Sequence, residues 1–193
     1  MTLPSHANIL TGLYPYEHGV RDNEGFRLDP KFPTLATMLA DKGYATAAVI
    51  GAFPSTRVSA SSAGFRLYDQ KYPQGAHAYD FSRGGAAGAR GRRGGARSGI
   101  LETPEHRRLL WVHLYDCHAP HVPPRGARPG LRRGSLSRTK SRSRRGARSA
   151  LLGHPVSGKP TLVVVTSDHG EALGDHGEET HGLFAYEATL HVP

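Results

Sequence analysis

Residues 35–50 read LATMLADKGYATAAVI, and the order of residue types in this stretch decides the architecture. Leu35, Ala36, Met38, Leu39 and Ala40 make a short apolar helix, and Gly43 stands where a left-handed residue would end it. Ala45–Ile50 follows as an unbroken apolar run, the pattern of a strand buried on both faces. A helix, a glycine and a buried strand in immediate succession are the rhythm of an α/β protein. Working outward, two more short runs have the same character: Leu109–Tyr115 (LLWVHLY) and Thr161–Ser167 (TLVVVTS). The second is bounded by Lys159-Pro160 and by a polar loop beginning at Asp168. Continuous apolar strands of this kind are usually parallel, with helices covering both faces. The expected fold is an α/β sandwich with a mostly parallel sheet flanked by helices.

The 193 residues fit one domain with a sizeable core. No apolar run approaches the length of a membrane span, and no charged-then-apolar leader opens the chain. Cys117 is the single cysteine, so there is no internal disulfide.

The formal charge of +9 taken alone points to an anionic partner. Its distribution changes that reading. Residues 83–99 carry 5 Arg and residues 125–149 carry 9 Arg and 1 Lys, with no acid in either tract. Setting those 15 charges aside leaves 10 basic against 16 acidic residues, a net of −6, which is an ordinary acidic globular composition. Three origins compete for the Arg/Gly/Ser-rich tracts: nucleic-acid-binding arms, disordered linkers that cannot offset chain entropy, or a GC-rich gene translated out of frame. Nucleic acid ranks lowest, because neither tract holds an aromatic residue to stack on a base.

In parallel sheets the ligand site lies beyond the carboxyl ends of the strands. That rule selects Asp116-Cys117-His118-Ala119-Pro120 after the LLWVHLY run and Asp168-His169-Gly170-Glu171 after TLVVVTS. Adjacent carboxylate and imidazole groups suit a divalent metal, and Asp175, His176, Glu178, Glu179 and His181 keep the downstream loop rich in ligand types. The competing reading is a solvated acidic loop. His118 is placed to protonate a leaving group or to bond an anion, or else it is a loop histidine pinned between prolines. His113, within the run, reads as a satisfied core residue. Cys117 shows no feature that would lower its pKa. At the start, Thr2 and Ser5 flank Pro4 ahead of Ile9, Leu10 and Leu13, a helix start in which a hydroxyl either caps the backbone or serves as a nucleophile at the positive helix end.

Together these stretches resemble the sulfatase family of the alkaline phosphatase superfamily. The residues that carry the resemblance are TLPSHANILTGLYP with HGVRDN, FPTLATMLADKGYATAAVIGAF, WVHLYDCHAPHVPP and TLVVVTSDHGEALGDHGEETHGLFAYEATLHVP. The resemblance implies metal-dependent hydrolysis of sulfate or phosphate esters, on a small molecule or a glycan. It sets Thr2 in the nucleophile's place, Asp168 and His169 in the second half of the metal site, His118 at a substrate-contacting histidine, and His181 near a sulfate-binding lysine. The implied metal is calcium or magnesium, with zinc or manganese as alternatives.

The departures from the family pattern are specific. Thr2 is not a residue that maturation to formylglycine accepts, and His6 stands where a supporting Arg would be. Thr is instead the nucleophile type of related phosphodiesterases and phosphoethanolamine transferases. The family also takes two acidic metal ligands from a strand ahead of the nucleophile. The expectation is therefore a partial sulfatase-like catalytic domain over residues 1–193, incomplete at both ends, whose opening MTLPSHANILTG is an internal active-site segment. Two other readings stand beside it: a basic nucleic-acid-binding protein acting through the Arg tracts, and a non-catalytic sulfatase-like protein.

Overall fold

A computed structural model of the chain describes residues 1–50, 62–69, 107–113 and 160–192. The two Arg-rich tracts and the Asp116–Pro120 stretch lie outside these residues. Among them the chain forms α1 (Thr2–Thr11), α2 (Pro15–His18), α3 (Leu35–Asp41), β1 (Ala45–Val49), β2 (Leu67–Asp69), β3 (Arg108–Val112) and α4 (Glu187–Leu190), with a 3-10 turn at Asp175–Gly177.

The helix–glycine–strand reading of residues 35–50 holds. Thr34 caps α3 by accepting the Thr37 amide at 3.1 Å, and Thr37 Oγ1 accepts the Thr34 amide in return. Gly43 (φ 76°) then turns the chain out of α3 with its amide on Ala40, a conformation that costs any residue with a Cβ.

β1 is the centre of a three-stranded sheet in the order β2-β1-β3, parallel throughout. Its register sets Ala47 opposite Leu67 and Leu110, and Ala48 opposite Tyr68 and Trp111. All five β1 residues are buried. Because side chains alternate along a strand, Ala45 and Ala47 pack with Leu67 and Leu110, while Ala48 and Ile50 pack with Tyr68, Phe65 and Trp111. Both faces are therefore covered, as the unbroken apolar run implied. A separate cluster of Leu3, Ala7, Val20 and Leu28, with Phe32 against it, holds α1 to the segment that follows.

A turn at residues 62–65 is clamped between α3 and β1. Thr34 Oγ1 donates to the Ala63 carbonyl at 3.0 Å, and Thr46 Oγ1 donates to the Gly64 carbonyl at 2.6 Å. Gly64 (φ +83°) lies so close to the Ala36–Thr37 backbone that a Cβ there would collide with Thr37 N.

Two expectations need correction. Thr161–Ser167 is not a strand: it has no regular structure, and Leu162 and Val164 are 89% and 76% exposed. A strand exists only when its backbone groups find a neighbouring ladder. No strand among the described residues pairs with this run, so its apolar content alone does not make one. Thr2 also does not cap α1. Met1 is the N-cap, with no side-chain hydrogen bond to the helix, and Thr2 is already the first helical residue.

Candidate active site

The carboxyl end of β3 meets the first turns of α1. His6 lies one helical turn beyond Thr2, on the same face of the helix, and both are buried. The His6 ring packs edge-on against His113, which follows β3, at a centroid distance of 4.5 Å, and edge-on against Trp111 at 5.6 Å. Apolar burial of these rings disfavours their charged forms. Burial pushes His6 down to about 4 against the pull of Asp168, and burial together with His6 pushes His113 down to about 3.

Asp168 and His169 join this group from the far end of the chain. Burial acts to raise the Asp168 carboxyl, but His169, His6, His113 and its own backbone amide outweigh it and hold it below the usual carboxylate range. Burial lowers His169, opposed mainly by Asp168. Three segments remote in sequence thus converge: the start of α1, the end of β3, and the loop after residue 167.

The His181 ring lies against that of His169, with centroids 3.8 Å apart and the planes tilted by 31°. Its Nδ1 lies 3.1 Å and 3.2 Å from the two oxygens of Glu171, itself only 8% exposed. Backbone bonds hold the loop in this shape: the Ala172 amide donates to Thr180 O and the Gly174 amide to Glu178 O, each at 2.8 Å. Gly170 lets the loop lie against α4. Its amide donates to Thr189 O at 2.8 Å, and a Cβ there would run into the Ala188 carbonyl.

His169 Nδ1 lies 2.8 Å from Gly170 O, which fixes the proton on that nitrogen. Its Nε2 lies 3.5 Å from Asp168 Oδ2, near the separation of two donors that share one cation at bonds of about 2.0–2.2 Å. Orientation of a ligating imidazole by a carbonyl at its other nitrogen is the usual arrangement around metals. The pair therefore fits half of a metal centre. Among the described residues no group of three or more His, Cys, Asp or Glu is arranged to complete it.

Of the residues singled out in the sequence, Thr2, Asp168, His169 and His181 are described. Asp168, His169 and His181 are neighbours, and Thr2 lies one turn from His6 on α1. His118 lies outside the described residues. The sequence reading missed His6 and His113 as interacting members of the site and assigned no partner to Glu171. The signal for His113 was its place at the end of a strand in a parallel sheet, where sites gather. Asp175 and His176 make a separate, exposed pair at 3.9 Å and take no part in this group.

No family profile and no curated protein matches the chain. Solved structures do, and two of them match it over its full length. BT1596, a 2-O GAG sulfatase, shares 19% identity with a TM-score of 0.65, and a protein of Bacteroides thetaiotaomicron VPI-5482 provisionally classed as a sulfatase shares 18% with a TM-score of 0.62. The chain spans 53% of the length of each. It has the fold of these sulfatases, the alkaline-phosphatase-like α/β sandwich, over about half of their extent.

Proposed function

We propose that the chain carries the catalytic face of a metal-dependent hydrolase of sulfuric esters, open to phosphate esters because a threonine occupies the nucleophile's place. What supports this reading best is the approach of His6, one turn beyond Thr2 on α1, to the Asp168–His169 pair, in a chain with the fold of two sulfatase structures. In this reading Thr2 Oγ1 loses its proton to solvent and attacks the sulfur or phosphorus while the ester oxygen leaves with a proton from His118; water then cleaves the Thr2 ester, releasing sulfate or phosphate and restoring the hydroxyl, and His181 contacts the anionic group. Asp168 and His169 hold the cation, calcium or magnesium first and zinc or manganese as alternatives. When bound, it lowers the pKa of a neighbouring hydroxyl and polarises the ester oxygens. The description of BT1596 as a 2-O GAG sulfatase favours a glycan sulfate as substrate class, beside small-molecule esters.

The neutral, buried imidazole of His6 gives the nucleophile's helix a different neighbour from the arginine of the family pattern. It offers no fixed positive charge. With that substitution and only two metal donors among the described residues, turnover is expected to be slow. The test is hydrolysis of an aryl sulfate and of a phosphodiester by the purified chain with added calcium or magnesium. The expected result is weak, metal-dependent release that disappears in Asp168→Ala and in Thr2→Ala. A chain that binds neither divalent cation nor inorganic sulfate, or turnover indifferent to Asp168→Ala, would refute the assignment.

A further inference from the structure

We propose that Asn23 is a positioning residue for Thr2: from outside the helix it caps the first turn of α1, and as a neutral acceptor it does so without setting a negative charge beside the ester's anionic group. The inference rests on the hydrolase reading above and assigns a role to a residue that reading does not use.

The start of α1 is not capped from within. Met1 makes no side-chain hydrogen bond to the helix, and Pro4 has no amide to offer. The Leu3 amide directly follows Thr2, and Leu3 is only 1% exposed, so this donor needs a partner inside the protein. That partner comes from a distant loop: the amide donates to Asn23 Oδ1 at 2.9 Å. A buried amide without an acceptor is costly, so the bond fixes where the Thr2–Leu3 peptide lies.

Asn23 is itself held on both sides. Val20 and Leu28 bracket it in sequence, and both are buried in the cluster that contains Leu3 and Ala7 of α1. Its own amide donates to the Asp22 carboxylate at 2.6 Å. Asp22, Asn23 and Glu24 are three consecutive side chains able to accept a hydrogen bond, and the one set against α1 is the one without charge. The two acids are exposed. For the helix alone an Asp would serve at least as well, because Asn and Asp are comparable caps and a carboxylate gains from the positive helix end. The same carboxylate would oppose an anionic ester held at Thr2, where that positive end favours negative charge. A neutral acceptor meets both needs.

A cap that only stabilised the helix would be indifferent to its own charge as far as the ligand is concerned, and this separates the two roles. The first measurement is hydrogen exchange of the Leu3 amide in the wild-type chain. Protection is expected, and exchange at the rate of an open amide would overturn the inference without any variant being made. The second is affinity for inorganic sulfate, measured beside the thermal midpoint. Asn23→Asp keeps an acceptor, so its midpoint should equal or exceed that of the wild type while sulfate binding weakens about tenfold, more at low salt than at high salt. Asn23→Ala should lower the midpoint by about 2–4 °C and weaken sulfate binding as well. If Asn23→Ala does not fold, Asn23→Asp decides. Sulfate affinity in Asn23→Asp equal to that of the wild type overturns the positioning role alone, and so does a lowered midpoint in that variant. No sulfate binding by the wild-type chain refutes the hydrolase reading itself.

Discussion

Lowering the pH from 7 to 5 should weaken the fold through the buried histidines that pack α1 against β3. In the unfolded chain each ring titrates near 6.5, whereas in the folded chain His6 is pushed down to about 4. At pH 5 the unfolded ring is mostly protonated and the folded ring is not, so the unfolded state binds more protons and gains stability as pH falls. The contribution is complete above pH 6.5 and is lost progressively down to about 4. At 1.36 kcal/mol per unit over the 1.5 units between 6.5 and 5, His6 alone costs the fold about 2 kcal/mol. His113, lowered to about 3 by burial and by His6, acts with the same sign. Because the two rings touch, they titrate together, and the combined loss lies between about 2 and 4 kcal/mol. Asp168 does not mask the effect. Its carboxyl is held low, so its contribution is kept above the unfolded carboxylate value and lost only at more acid pH. The assay is urea denaturation at a series of pH values for the wild type and for His6→Asn, which carries no titrating group. The stability difference between them should shift by about 2 kcal/mol in the variant's favour from pH 7 to pH 5. Parallel curves over that range would refute the reasoning.

Other outcomes follow from particular contacts. Gly64→Ala should destabilise the chain by about 3 kcal/mol or more, since the added Cβ meets backbone rather than a movable side chain and φ is positive; thermal denaturation measures it. Thr34→Ala removes the cap of α3 and the bond to Ala63 together, a loss of about 1–2 kcal/mol in the same assay. Leu162→Glu, at a site 89% exposed, should leave stability within about 0.5 kcal/mol of wild type, whereas a buried strand there would make it severely disruptive. Asp168→Ala should abolish calcium or magnesium binding in calorimetry while leaving the far-ultraviolet dichroism intact.

The parts of this fold that were legible in the sequence are those fixed by neighbours along the chain. Gly43 and the Ala45–Ile50 run each act within a few residues, so α3 and β1 could be read locally. Thr161–Ser167 carries the same apolar signal as β1 and became no strand, because strand formation depends on a partner ladder that composition does not specify. The site divides in the same way. Asp168 and His169 are adjacent and stood out together. The meeting of His6 with His113 depends on the parallel register of β1 and β3 and on how α1 packs, which join residues about a hundred positions apart. The Glu171–His181 pair was hidden for a different reason: the loop offers several acids at similar spacing, and only its backbone bonds choose among them.

The order β2-β1-β3 has a consequence for how this chain can vary. β2 and β3 both take their register from β1 and not from each other. A one-residue slip of β1 would therefore move Ala47 off Leu67 and Leu110 and Ala48 off Tyr68 and Trp111 together, and turn its two apolar faces over.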